Sequence, residues 1–162
     1  MVRWVGQRSG SAGGFTLIEL LIVIVILAIS AAIVVPMASS AASMQLRSAA
    51  NIVAADLEYA KSLAIGTGQP HSVAFDADTE SYRIYRTSDN ADVQNPITKK
   101  TPYLVNFTED GRLDRVGIVS SATVTFDYLG SSASAATITL QAGEGQKTVA
   151  VEAVTGFISI SE

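Results

Sequence analysis

The sequence predicts an α+β fold, one long N-terminal helix followed by an antiparallel β-sheet with one face on that helix. Three observations carry this. Near the N-terminus an apolar run has no period at all. A second stretch repeats apolar residues at helical spacing. Beyond Gly66 the period drops to two, with turn residues between short segments.

The apolar run spans Phe15 to Val35, FTLIELLIVIVILAISAAIVV, broken only by Thr16, Glu19 and Ser30. As a helix it measures about 31 Å, close to the hydrocarbon thickness of a bilayer. Residues 1–14 carry Arg3 and Arg8 and no acid, and the next cation after the run is Arg47. That asymmetry keeps the N-terminus in the cytoplasm and places the rest of the chain outside it. Glu19 does not suit a plain anchor. An ionised side chain at the bilayer centre costs about 2.5–3.5 kcal/mol on insertion scales, and such residues are usually paired. The helix offers Glu19 no cation. A cut just before Phe15 creates an α-ammonium four residues upstream, able to neutralise a carboxylate in the same chain or a neighbour.

Residues 38–65 are alanine-rich, without Gly or Pro. Leu46, Ala50, Val53, Leu57, Ala60 and Ala64 fall on one face, with Arg47, Asn51, Glu58 and Lys61 off it. The helix is thus expected from Phe15 to about Ile65, bent near Pro36, since proline kinks or breaks helices. Gly66-Thr67-Gly68-Gln69-Pro70 ends it. Strands are predicted at His71–Asp76, Ser81–Arg86, Tyr103–Phe107, Thr123–Tyr128, Thr137–Gln141, Thr148–Glu152 and Phe157–Ile160. Thr87–Pro102 is a long polar loop. Residues 36–162 suffice for one core without disulfides.

Composition excludes several function classes. The chain has 162 residues, a net charge of −4 and no cysteine. A pI near 4.9 argues against nucleic acid as a partner. Without Cys there is no thiolate catalysis, iron–sulfur cluster or Cys-ligated zinc. His71 is the only histidine, expected at the surface or in a cap. Asp76, Asp78 and Glu80 alternate as a Ca²⁺ ligand set would, but the EF-hand glycine and loop length are missing, so a solvated turn is expected. Asp89 and Asp92 are read the same way. Gly143-Glu144-Gly145 is a turn and not a phosphate cradle. No catalytic constellation is found, and no catalytic, cofactor-binding or metal residue is assigned.

Gly14 followed by Phe15, Thr16, Leu17, Ile18 and Glu19 and an unbroken apolar run resembles the class III signal of type IV prepilins and type II secretion pseudopilins. The resemblance implies a pilin-like fold and a leader, residues 1–14, removed by a prepilin peptidase that cuts after Gly14 and N-methylates Phe15. The helix of residues 15–35 is kept, first as an anchor in the bilayer and then as filament core. Residues 36–162 form the extracytoplasmic domain. Glu19 takes the place of the family's glutamate, which meets the Phe15 amine of an adjacent subunit, and Pro36 that of its helix-kinking proline. AADLEYAKSLAI before HSVAF, and the closing FDYLGSSASAATITLQAGEGQKTVAVEAVTGFISI, resemble the GspH/FimT-like minor pseudopilins. Two departures are a longer leader and Phe157 where members often carry a basic residue after Thr-Gly.

The function implied is a minor subunit of a type II secretion pseudopilus. Its partners would be other pseudopilins or pilins, the peptidase, the inner-membrane assembly platform and the lipid bilayer, with no cofactor. Alternatives are a minor pilin of a type IV pilus and a membrane-anchored periplasmic binding module that never polymerises. A cleavable secretory signal with core Leu20–Ile29, or a plain signal anchor, would leave Glu19 without a role.

Overall fold

A computed structural model describes residues 14–161, except for the side chains of residues 32–40. The expected leader with Arg3 and Arg8, save Gly14, lies outside the described residues, as does the side chain of Pro36 and with it the expected kink. One helix, α1, spans Leu17–Thr67. The chain divides into two units, Met1–Met37 and Ala38–Glu162.

In the first unit Thr16 caps α1. Its Oγ1 accepts the Glu19 N–H at 3.2 Å and its carbonyl the Leu20 N–H at 3.1 Å. One otherwise orphaned amide of the first turn is thereby satisfied. Ser30 Oγ donates to the Ile26 carbonyl, so its hydroxyl is satisfied within the helix. The large apolar side chains from Phe15 to Ile29 are all exposed, from 46% at Leu21 to 83% at Phe15. No helix among the described residues is long and apolar enough to cross a membrane. The apolar run read from the sequence ends at Val35, within the stretch whose side chains are not described.

The second unit is built on the remainder of α1. Leu46, Ala50, Val53, Leu57, Ala60 and Ala64 are all buried, as their spacing predicts. Ala49 joins them. Small side chains along this seam let the sheets approach closely. Ala50→Leu is expected to cost about 2 kcal/mol by overpacking, measurable as a lower urea midpoint with an unchanged m-value.

Eight strands follow among the described residues. They are β1 His71–Asp76, β2 Ser81–Arg86, β3 Tyr103–Asn106, β4 Gly117–Ile118, β5 Ala122–Phe126, β6 Ala136–Ala142, β7 Gly145–Val151 and β8 Ile158–Ser161. Seven lie where the period of two places them, and β4 is too short to have a period. The expected single sheet is in fact two, ordered β3-β2-β1-β5 and β4-β6-β7-β8. All named pairings are antiparallel. The break follows β5. Past Phe126 the chain makes a single bridge, Phe126 to Ser132, and turns away instead of laying β6 beside β5. Asp127 drives that turn, its Oδ1 accepting the amides of Leu129 and Ser131 at 2.9 and 2.8 Å.

Both sheets put alternate residues on the helix. Val73, Phe75, Tyr82, Ile84, Val124 and Phe126 come from the first, and Ile138, Leu140, Val149 and Val151 from the second. Phe75, Tyr82 and Phe107 pack in sequence, the first pair tilted at 5.0 Å between ring centroids and the second edge to face at 6.0 Å. The β6–β7 turn is two residues long, since Ala142 pairs with Gly145. Gly143 takes its first position at φ 59°, which favours glycine.

Candidate functional site

The sequence marks Gly14, Phe15 and Glu19, and the structure places them together at the start of α1. Gly14, Phe15 and Thr16 precede the helix and are exposed. A Cβ built on Gly14 meets nothing within 4 Å. Any requirement for glycine there is therefore imposed from outside the chain. Phe15 is one residue before the Thr16 cap, and Glu19 lies in the first turn, where a negative charge complements the helix dipole. Among the described residues the Glu19 carboxylate has no cation within salt-bridge distance. The segment is an accessible peptide, an apolar helix with every described large side chain uncovered, and one carboxylate near its end. It can serve as a substrate for processing and as a surface for burial against lipid or other helices. Thr16 was missed in the sequence although its signal, Thr16-x-x-Glu19 before an apolar run, is present.

The other candidates are held in structural roles. Asp76 Oδ1 accepts the Asp78 and Thr79 amides at 2.9 and 3.4 Å. Hydrogen bonding from the Thr79 side chain first, and then from the Asp78 amide, holds its carboxyl below the usual carboxylate range. The Glu80 carboxylate instead reaches across to the Ile118 amide, joining the β1–β2 turn to β4. Asp76 and Glu80 thus point to different amides, and among the described residues no three such groups converge as metal ligands. Asp89 and Asp92 form exposed ion pairs with Arg86 and Arg83 at 3.5 and 3.7 Å. Pairs of this kind contribute little. His71 is buried, so of the surface and capping roles expected for it the surface one does not hold. Its Nδ1 lies 2.9 Å from the Gln69 carbonyl, which can only accept, so that nitrogen carries the proton. Leading β1 between β2 and β5 buries the ring while it ties down the chain after the helix.

One group was not anticipated. Asp56, on the flank of the buried stripe, accepts from Tyr82 Oη at 2.6 Å and from Tyr103 Oη at 2.7 Å. Burial pushes its carboxyl up, against the pull of the two hydroxyls, and burial likewise pushes both tyrosines up. The arrangement fastens the helix to β2 and β3.

Comparison with known proteins follows this geometry. The prokaryotic N-terminal methylation motif matches residues 10–35, covering Gly14, Phe15 and Glu19. No curated protein matches the chain. Among solved structures the minor pseudopilin EpsH from the type 2 secretion system of Vibrio cholerae is similar at TM-score 0.55 and 16% identity, covering 72% of this chain and 96% of that one. The type IV minor pilin FimU of Pseudomonas aeruginosa is similar at TM-score 0.54 and 16% identity, covering 72% and 88%. A second crystal form of FimU gives 0.52 and 18%, covering 72% and 93%. These likenesses establish the pilin-like α+β fold. The family described as type II transport protein GspH matches residues 49–155, well over half of the sequence, and the chain belongs to it.

Proposed function

We propose that the chain is a minor pseudopilin of a type II secretion pseudopilus. The family is one of structural subunits and not of enzymes, and it implies a membrane-anchored periplasmic protein that assembles with other pilin-like subunits. The observation that carries the reading is the N-terminal segment. An accessible Gly14–Phe15 bond precedes a helix whose described large apolar side chains are all exposed, with Glu19 in its first turn. The match to the family described as type II transport protein is in keeping with the secretion role.

In this reading the precursor inserts once in the inner membrane with residues 1–14 in the cytoplasm. Prepilin peptidase hydrolyses the Gly14–Phe15 bond and the new amine is methylated. Residues 15–35 stay in the bilayer, and residues 36–162 fold in the periplasm. When the assembly platform lifts the subunit, the Glu19 carboxylate meets the Phe15 ammonium of a neighbour. Each charge alone is costly in hydrocarbon, so their pairing favours one axial register. The apolar helices then bury one another. The Thr87–Pro102 loop faces outward as the variable surface.

Mass spectrometry of the chain from its native membrane tests this. The expected N-terminus is N-methylated Phe15. A chain that keeps residues 1–14 in cells with active peptidase would overturn the reading. Glu19→Leu should still be cleaved, while its recovery in sheared filaments falls about tenfold or more, as loss of one charge pair worth about 1.4 kcal/mol implies. Incorporation equal to the parent's would leave Glu19 without an assembly role. The FimU likeness keeps a type IV pilus role as the second reading. Deleting the gene distinguishes the two, since loss of cargo secretion with pili intact supports the pseudopilus.

A further inference from the structure

β3 is a terminal strand of the first sheet, so one of its edges is unpaired. The register tells which groups lie on that edge. The Phe107 amide donates to the Glu80 carbonyl at 2.9 Å, and Val105 stands opposite Tyr82. Backbone groups alternate in direction along a strand, so Val105 and Phe107 face β2 while Leu104 and Asn106 face away from it. Asn106 turns its carbonyl to the Asp110 amide at 3.3 Å. The Leu104 amide and carbonyl and the Asn106 amide have no partner among the described residues. Edges are commonly blunted by proline, lysine or a bulge. Pro102 blunts only the start of this one, and Leu104 on it is 51% exposed.

The edge borders a cleft of about 780 Å³. Tyr103 to Asn106 form one wall, and Ile52, Ala55 and Asp56 of α1 form the other. Ala55 is exposed and Ile52 only half-buried, because the sheet stops short of this flank of the helix. A further strand beside β3 would continue the sheet across it. Its backbone would meet the three free groups. Its side chains would alternate between the helix flank and the outer face that carries Leu104. The loop before β3 and the turn after it also line the cleft, through Ile97 and Glu109. They close it off beyond the two ends of β3, so it admits a short strand and not the long edge of another sheet.

The charges in the cleft say what such a strand should carry. Asp56, Glu109 and Asp110 line it, as do Lys100 and Arg112. Arg112 is engaged by Asp110, at 2.6 Å. Asp56 is half-buried and has no cation within salt-bridge distance among the described residues. Its two bonds come from the neutral hydroxyls of Tyr82 and Tyr103, and a carboxylate has room for about two more. A desolvated carboxylate gains from a cation that arrives with its own hydrogen bonds.

We infer that the free edge of β3 takes up an extended peptide segment, paired backbone to backbone with Leu104 and Asn106 and turning a lysine onto Asp56. The ligand is a strand and not a second pilin-like domain, so the inference goes beyond the subunit reading and stands apart from it. The probe is the peptide fluorescein-Thr-Val-Lys-Val-Thr-amide, added to the full-length chain in detergent and followed by anisotropy. Saturable binding is expected. Peptides N-methylated at both valines, or at the lysine and the last threonine, each lose one pairing edge. One of the two should bind about tenfold more weakly and the other like the parent, since a single edge meets β3. Norleucine in place of the lysine should also weaken binding about tenfold. In the protein, Leu104→Pro removes an amide that β2 does not use, so it should abolish binding and leave the thermal midpoint in place. Amide exchange gives the location, with Leu104 and Asn106 slowed by the peptide and Val105, already paired, unchanged. No binding, equal losses from the two N-methylated peptides, or indifference to norleucine or to Leu104→Pro would each overturn the inference. So would exchange that slows with protein concentration and without peptide, which would give the edge to a second copy of the chain. The state of Phe15 does not enter, so failure here leaves the subunit reading untouched.

Discussion

Gly156→Ala is expected to destabilise the second unit by about 4 kcal/mol, far beyond an ordinary loop substitution. Two costs combine. Gly156 has φ 58°, where an L-residue with a side chain loses about 1 kcal/mol. The larger cost is steric. The new Cβ would lie 2.2 Å from the Gly130 carbonyl oxygen, a backbone atom that cannot rotate away, and 3.4 Å from the Phe126 ring. Gly130 is itself pinned, at φ 81° with Ile65 against it. Relief therefore requires the two loops to part, and with them the bonds from Val154 to Ser132 and from Lys61 to Gly156. Gly143→Ala is the control. Its φ is 59°, but a Cβ there meets nothing within 4 Å, so it should lose only the conformational part. Urea unfolding of the two variants separates the terms. Equal losses would mean that the close approach of Gly156 to Gly130 does not hold the two loops together.

The loops around Gly156 also show what the sequence makes legible. Thr155-Gly156 reads as a turn from residue types alone. That Gly156 abuts Gly130 does not, since that contact joins the loop between the two sheets to the β7–β8 turn, and their relative placement is set by both sheets together. The helix shows the same division. Its buried face was readable residue by residue from Leu46 to Ala64, because burial against any sheet selects the same spacing. That the covering surface is two sheets was not, since the period of two specifies strands and leaves their partners open. The chain already enters the second sheet at β4 before it returns for β5, and Asp127 curls it after Phe126 on its way back to the second sheet. Among the candidate site residues, Gly14, Phe15 and Glu19 stand out because their chemistry is contiguous in sequence. Thr16 was equally readable, its capping spacing being a local rule. For His71 the surface alternative failed, because a lone polar residue after Pro70 looks like surface until β2 and β5 close on it from both sides. Asp56 is one position from Leu57 and borders the apolar stripe. The tyrosines that satisfy it are 26 and 47 residues away, so nothing near it in the sequence marks it as buried.

Asp56→Ala is the second large effect, about 3 kcal/mol of stability at neutral pH. The substitution leaves two hydroxyls without their acceptor. That of Tyr82 is fully enclosed, and an unsatisfied buried donor costs about 1–3 kcal/mol each. Removing a desolvated carboxylate returns part of this, since burial is the largest influence on Asp56 and disfavours its charged form. The triple variant Asp56→Leu/Tyr82→Phe/Tyr103→Phe should therefore recover to within about 1 kcal/mol of the parent, as apolar replacement of all the partners removes the unmet polarity. The pH dependence has a definite sign. The folded carboxyl of Asp56 titrates above its unfolded value near 3.8, so its protonated form adds stability below that pH. This contribution is lost as pH rises through the raised folded value. Asp110 acts oppositely. The Arg112 guanidinium lowers it, so its contribution is present above 3.8 and lost as pH falls through the depressed folded value. Tyr82 and Tyr103 extend the argument to alkali. Both are raised above 10.0, so their contribution is present below pH 10 and lost as the unfolded phenols ionise above it. Denaturant midpoints measured from pH 3 to 11 should show the parent falling more steeply above pH 10 than the Tyr82→Phe/Tyr103→Phe variant. Parallel curves would mean that the two hydroxyls are not held by Asp56 in solution, and the helix would then rest on the sheets by its apolar seam alone.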